Sequence, residues 1–306
     1  MPGTQACPDT AGKVAHCPIC QGSGVRPFTE DRGYQFRECG TCGFVFIEAE
    51  NVRQGMIQEY AVDLPVDPEH VERYWYQRAA VYRQALGLIR RVAPNGGRLL
   101  DVGCQFGAFL QMAQKAGYEV AGIEVSRQQA AYAAERTGGP VYDQPLEDLD
   151  LPPESLDVVT YLDVIEHLED PMGQLREAFR LLKPGGWIAA RVPNLFFHGI
   201  KMRVLASLLG RARAQAFSRS STFGGLQAPS HMNWFTARSL AFAIKSAGFE
   251  DLRIVPGRPE LIKPSSLKRH VVNALKRVYG AGATVVYVTT GFITATLFAL
   301  ARRPGG

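Results

Sequence analysis

From about residue 96 onward, short apolar runs and longer helix-like stretches take turns along the chain. The runs at 98–102, 119–124, Leu156–Leu162 and 187–192 read as buried strands, and 107–117, 127–136 and about 170–182 read as helices between them. This alternation predicts a parallel sheet with helices on both faces, in which ligands sit at the carboxyl ends of the strands. Ahead of it, within 51–92, Tyr74, Trp75, Ala79, Tyr82, Leu86 and Ile89 recur at spacings of three and four, the pattern of a helix whose apolar stripe serves packing. Asp63-Leu64-Pro65 and Asp67-Pro68 punctuate the loop before this helix, and Pro94-Asn95-Gly96-Gly97 ends it. Nearer the N-terminus, Tyr34-Gln35-Phe36-Arg37 and the alternating Phe44-Val45-Phe46-Ile47 read as paired strands. Three units are expected: 1–50, a helical linker over 51–95, and a main α/β domain over 96–303.

Composition bounds the class. With 306 residues, 46% hydrophobic and 21% charged, the chain can build one substantial core plus a small module, and global disorder, collagen and coiled coil are excluded. Residues 1–13 carry no basic stretch followed by an apolar core, so a cytoplasmic location is expected. In a reducing compartment six cysteines favour metal or thiolate chemistry over disulfides. Four of them form two hooks, Cys17-Pro18-Ile19-Cys20 and Cys39-Gly40-Thr41-Cys42, with 18 residues between. Two such hooks supply four thiolates for a tetrahedral Zn²⁺, and the intervening hairpin makes the module a zinc ribbon. With no coordination position left for water, the metal is expected to be structural. Cys7 is a spare thiol, and His16 is a lesser candidate ligand.

At the first strand of the main domain, Leu99-Leu100-Asp101-Val102-Gly103-Cys104-Gln105-Phe106-Gly107 runs from a strand through a glycine-containing turn into a helix. Glycines permit a tight turn and close backbone approach, and the helix N-terminus offers unsatisfied N–H groups. Glu124 ends the next strand, 21 residues after Gly103, where a carboxylate can take both hydroxyls of an adenosine ribose. An NAD site is disfavoured because the turn lacks G-x-G-x-x-G.

These blocks continue in order with Leu162-Asp163-Val164-Ile165-Glu166-His167-Leu168-Glu169-Asp170-Pro171 and Leu181-Leu182-Lys183-Pro184-Gly185-Gly186. Together, over about 96–255, they resemble the class I S-adenosylmethionine-dependent methyltransferases. The ribbon in front is similar to that of bacterial small-molecule methyltransferases often linked to sugar and glycan pathways. The resemblance implies a Rossmann-like seven-stranded sheet with a reversed last strand and S-adenosylmethionine over the first two strand ends. Asp101, Gly103 and Gly107 would shape the methionine pocket, Glu124 would hold the ribose, Leu146 and Glu147 would border the adenine, and Leu162 and Asp163 would end the fourth strand beside the methionine part. One departure stands out: Gln105 occupies a position where the family usually has Gly, so its side chain would narrow the pocket or reach the cofactor carboxylate.

An oxygen or activated-carbon acceptor needs a base, and histidine suits that task near neutrality. His231, in Pro229-Ser230-His231-Met232-Asn233-Trp234, is the first candidate and a loop-anchoring histidine its alternative. His167 is the second, with a structural or acceptor-positioning role equally open, and His198 the third. The charges are sorted along the chain: 1–177 hold 15 Lys and Arg against 26 Asp and Glu, and 178–306 hold 19 against 3. The basic half suggests an anionic partner, here a phosphorylated or glycosyl small acceptor, and leaves open peripheral contact with the inner face of a membrane. Residues 200–209 form a basic amphipathic stretch that suits a lid, a membrane-surface helix or a packed insertion. The uncharged 278–301 is long enough to raise a membrane span, yet its end resembles the family's last strand. A nucleic-acid acceptor is disfavoured because 14–50 lacks a basic stripe. An RNA methyltransferase and a non-catalytic docking module, its cofactor fold impaired at Gln105, remain the alternatives.

Overall fold

The computed structural model describes residues 16–31, 33–47, 66–197, 207, 230–261, 263, 267–290 and 294–305. The sequence expectations for Cys7, for Asp63-Leu64-Pro65, for His198 and for nearly all of 200–209 lie outside the described residues.

Alternating side chains build the first sheet. Strands β1 (Val25–Asp31), β2 (Tyr34–Cys39) and β3 (Val45–Ile47) run antiparallel. Phe44 and Phe46 point to the main core, while Val45 and Ile47 pack with Phe36, Leu195, Met232 and Trp234. This is the two-residue period of a strand buried on both faces. After it comes α1 (Pro68–Val92), opened by Asp67, whose carboxylate accepts the N–H groups of Glu69 and His70, and by Pro68 in the first turn.

The main domain then follows the predicted alternation: β4 (Gly97–Val102), α2 (Ala108–Lys115), β5 (Tyr118–Ile123), α3 (Arg127–Thr137), β6 (Val141–Tyr142), β7 (Leu156–Leu162), α4 (Pro171–Leu181) and β8 (Leu182–Pro193). β9 (Asn233–Trp234), α5 (Ala237–Ser246), β10 (Glu250–Pro256), α6 (Leu267–Thr290) and β11 (Thr296–Arg302) complete the chain. Seven strands form one sheet in the order β10-β11-β8-β7-β4-β5-β6, and β11 is antiparallel to both of its neighbours. The expected reversed strand is therefore present. The described residues of 278–301 do not form a span: α6 ends at Thr290, and Thr296–Arg302 are β11, whose Leu297, Phe298 and Ala299 are buried in the core. Among the described residues no helix is long and apolar enough to cross a membrane.

Each face of the sheet has its own core. On one, Leu99, Val158 and Phe298 pack with Val81, Ala85 and Ile89 of α1 and Phe109 and Leu110 of α2. On the other, Leu100, Tyr161 and Ile188 pack with Leu175 and Leu181 of α4 and Leu240 and Ile244 of α5. Each fully buried side chain of this size contributes about 1.5–3 kcal/mol. The described part of 51–95 is thus chiefly α1, one packing layer of the sheet.

β9 joins the two parts. It is the fourth strand of the small sheet, pairing Val45 with Trp234 and Phe46 with Asn233, and Ile47 N–H donates to the Met232 carbonyl at 2.9 Å. Phe44 and Phe235 lie 4.9 Å apart between ring centroids. Cys17, Cys39 and Cys42 belong to the same buried cluster as Tyr161 and Leu240. The cysteine module is therefore built onto the domain, and 230–235 belongs to both.

Candidate active site

The turn after β4 closes on β5. Gly103 and Cys104 both donate their N–H groups to the Ile123 carbonyl, at 2.8 and 2.9 Å. Gly103 has φ +73°, and a Cβ there would lie 2.4 Å from Val164 Cγ2, so both conformation and space require glycine. Gly107, at φ +72°, starts α2. Gln105 takes the left-handed conformation as well, at φ +47°, an uncommon choice for a side-chain-bearing residue. The turn thus keeps its geometry at the departure from glycine. Gln105 N–H donates to Glu124 Oε2 and Ser126 N–H to Glu124 Oε1, each at 3.0 Å. Glu124 is only 8% exposed; burial raises its carboxyl above the usual range while the two N–H groups oppose the rise. An ionised carboxylate accepts about four hydrogen bonds, so capacity remains for a ligand. Beneath the turn, buried Asp101 accepts the Thr160 hydroxyl at 2.5 Å. Burial pushes its carboxyl up to about 7, against the Thr160 hydrogen bond and the Arg78 charge.

The other expected cofactor residues divide. Leu146 is buried at the start of a single 3-10 turn, and Glu147 beside it accepts Gln174 Nε2 at 2.5 Å. Leu162 ends β7, buried. Asp163 follows at φ +63°, and its Oδ2 accepts from both Arg78 of α1 and Arg191 of β8. Burial opposes its ionisation, but the Arg191 and Arg78 guanidiniums prevail and hold the carboxyl below the usual range. Arg78 also donates to the Leu162 carbonyl at 3.1 Å and pairs with Glu260 at 2.6 Å. Asp163 is thus the hub of a buried ion network. The two arginines escaped the sequence reading; the available signal was a cation at 78 on the stripe side of α1, between Tyr74 and Tyr82.

Beside this network the chain brings together residues more than 60 positions apart. His167, in the 3-10 turn Ile165–His167, has Nδ1 2.5 Å from the Ser230 carbonyl. Its ring centroid lies 4.6 Å from that of His231, which in turn lies 5.5 Å from Trp234. Met232 N–H donates to the Glu166 carbonyl at 3.0 Å, and Asn233 Nδ2 to the Leu168 carbonyl at 2.6 Å. The two histidines weighed separately in the sequence are therefore neighbours. Glu166 completes the group: its carboxyl and the two ring systems have ligand atoms within 4.8 Å of one another. It is 1% exposed, and neither carboxyl oxygen has a hydrogen-bond partner among the described residues. Burial, reinforced by the Asp163 charge, raises its pKa well above the usual range. Burial lowers His167 from the ordinary histidine value, against the Ser230 hydrogen bond. One carboxyl and two imidazoles thus meet beyond the carboxyl end of β7.

The cysteines converge as their spacing predicts. Cys17 and Cys42 sulfurs are 3.6 Å apart, Cys20 and Cys39 3.4 Å, and all four lie within 4.8 Å of one another. Zn–S bonds of about 2.3 Å in a tetrahedron require S···S edges of about 3.8 Å, so the cage fits that ion. The Cys42 thiol's hydrogen bond lowers Cys17 to about 5 in spite of burial. His16 instead faces the Gln21 carbonyl at 3.2 Å.

A family described as a methyltransferase domain matches residues 74–254. The ubiquinone biosynthesis O-methyltransferase of Paracidovorax citrulli is 30% identical over 171 residues, covering 49% of this chain and 69% of that protein. The enzyme of the same name from Idiomarina loihiensis is 29% identical over 171 residues, covering 49% and 68%. Among solved structures, phosphoethanolamine N-methyltransferase 2 of Haemonchus contortus, in complex with S-adenosyl-L-methionine, aligns with a TM-score of 0.51 at 18% identity, over 82% of this chain and 60% of that one.

Proposed function

Because this chain belongs to the methyltransferase domain family and is an S-adenosylmethionine-dependent methyltransferase, we propose that it methylates an oxygen of a small anionic acceptor, with His231 as the base. The observation that carries the base assignment is the His167–His231 pair at the carboxyl end of β7, beside the strand ends expected to hold the cofactor. Bound S-adenosylmethionine supplies an electrophilic methyl on a sulfonium. The protein's part is to align the acceptor oxygen with that methyl, exclude water and remove the proton.

Roles follow from the surroundings of each group. Gly103 and Gly107 let the backbone approach the ligand, and Glu124, already fixed by the Gln105 and Ser126 amides, offers its remaining lone pairs to the ribose. Asp101 and Leu162 floor the methionine side, and Leu146 and Glu147 border the adenine. Asp163 acts mainly by holding Arg78 and Arg191 in place. His231 takes the acceptor proton, and His167, fixed by the Ser230 carbonyl, orients it. The oxygen acceptor is supported by the O-methyltransferase names of the relatives; its anionic character is supported by the excess of cations in 178–306. The four cysteines hold a structural Zn²⁺ that rigidifies β2 and β3, and through β9 the loop bearing His231.

Calorimetric titration with S-adenosylmethionine, followed by turnover on a panel of nucleotide sugars and phosphorylated small molecules, tests this reading. Glu124→Ala should weaken cofactor binding at least tenfold, and His231→Ala should abolish turnover while leaving cofactor affinity intact. Full turnover by folded His231→Ala removes the base assignment. Failure of the folded parent to bind the cofactor would sink the cofactor-site assignment.

A further inference from the structure

α6 is attached to the domain along one side and leaves an apolar line on the other. Val271, Leu275 and Val278 are 52%, 63% and 70% exposed, and their spacing of four and three aligns them along the helix. Ala274 and Ala281, also exposed, widen the same face. The opposite side is the attached one: Asn273 is buried and Lys276 Nζ donates to the Glu260 carbonyl at 3.1 Å. Scattered exposed hydrophobics need no explanation, whereas an ordered row on one helix does. The other large exposed hydrophobics among the described residues, Phe28, Val125, Phe196 and Phe242, are dispersed over separate segments.

The charge around this row is of one sign. Residues 261–306 contain seven Lys and Arg and no Asp or Glu, and Arg269, His270 and Arg277 are exposed on α6 itself. We propose that α6 is a membrane-docking helix: it lies in the plane of an anionic lipid surface with Val271, Leu275 and Val278 among the acyl chains and Arg277, beside the row, at the phosphates. An apolar face combined with cations is the form in which helices bind such interfaces, and long arginine stems let the charges stay in the headgroup layer. A second copy of the chain is a poorer occupant. A two-fold contact would set the same basic residues against each other, with no acid in 261–306 to pair them. Docking is also aimed: Glu260, just before α6, pairs with Arg78 beside Asp163, so the lipid-facing helix is tethered near the carboxyl end of β7. This inference goes beyond methyl transfer and does not depend on the identity of the acceptor.

The test is co-sedimentation of the full-length, zinc-loaded protein with vesicles of phosphatidylcholine mixed with phosphatidylglycerol, and with vesicles of phosphatidylcholine alone. The parent should partition at least tenfold more strongly onto the mixed vesicles and be released by high salt. Leu275→Ser combined with Val278→Ser, and separately Arg277→Glu, should each reduce partition more than tenfold. Leu275, Val278 and Arg277 are all solvent-exposed, so cofactor titration of the same samples should show unchanged affinity and separates this inference from the functional one. Equal partition of parent and variants overturns the proposal, as does absence of partition by folded, cofactor-binding parent. A concentration-dependent dimer abolished by Leu275→Ser, without lipid binding, overturns it in favour of a second copy.

Discussion

Replacing Asp163 by Asn removes one negative charge from the most buried ion network in the domain and changes little else. Asp163 sits at φ +63°, a conformation that Asn adopts as readily as Asp, so the backbone preference is preserved. The carboxylate is shared by Arg78 and Arg191, whose side chains are only 7% and 3% exposed. Losing one partner of a buried pair costs about 3–5 kcal/mol, because the remaining charge is left uncompensated. Glu260 still faces Arg78 at 2.6 Å, whereas the other side-chain hydrogen bond of Arg191 among the described residues is to the Arg258 carbonyl, an uncharged acceptor, at 3.2 Å. The expected loss is therefore at the lower end, about 3 kcal/mol, or roughly a hundredfold in the folded-to-unfolded ratio. In urea unfolding followed by tryptophan fluorescence, the midpoint of Asp163→Asn should fall by about 1 M for a slope of about 3 kcal/mol/M. The sign with pH is also fixed. Arg191 and Arg78 outweigh burial and depress the folded carboxyl, so the stabilisation is present above the unfolded value of about 3.9 and fades as pH falls through the lower folded value. A midpoint indistinguishable from the parent at pH 7, or a difference that grows as the solution is acidified, would show that Asp163 does not stabilise the fold as a carboxylate.

Three further outcomes are expected. Asp101, raised by burial to about 7 from about 3.9 unfolded, stabilises the fold while protonated, so the parent's advantage over Asp101→Asn in thermal melting should shrink between about pH 4 and pH 7; a constant difference contradicts this. Phe235→Ala removes a fully buried ring 4.9 Å from Phe44, and its cost of about 3–5 kcal/mol should appear as faster amide exchange in β2 and β3 as well as in α5, since β9 serves both parts; exchange confined to α5 would show that the cysteine module is independently stable. Cys39→Ser should lower the zinc content measured by atomic absorption from one ion per chain to below one half and make the His231 segment more accessible to protease, whereas an unchanged metal content would remove Cys39 as a ligand.

Much of the architecture was legible because it is written in local patterns. A strand buried on both faces is chiefly apolar, as 156–162 is apart from Asp157 and Thr160, and a tight turn against a neighbouring strand needs glycine at 103 and 107, so order, type and approximate bounds of these elements could be read directly. The cysteine cage is equally local, since each hook closes on itself through one turn and only one hairpin separates the two. What remained hidden depends on distances that no local pattern encodes. Arg78 looked like one polar position in an apolar helix stripe, yet it pairs with Asp163, 85 residues away. Glu166 stands between Ile165 and His167 in the sequence, and burial of the Ile165–His167 turn under 230–235 deprives it of water. β9, too short to be read as a strand, exists because β3 presents an unpaired edge to it. Short-range sterics and burial dictate the sheet, the glycine turn after β4 and the cysteine set, so these were readable from the chain alone. Tertiary structure alone decided which charges neutralise one another and which histidines meet, because desolvation and Coulomb energies depend on separation in space and not along the chain.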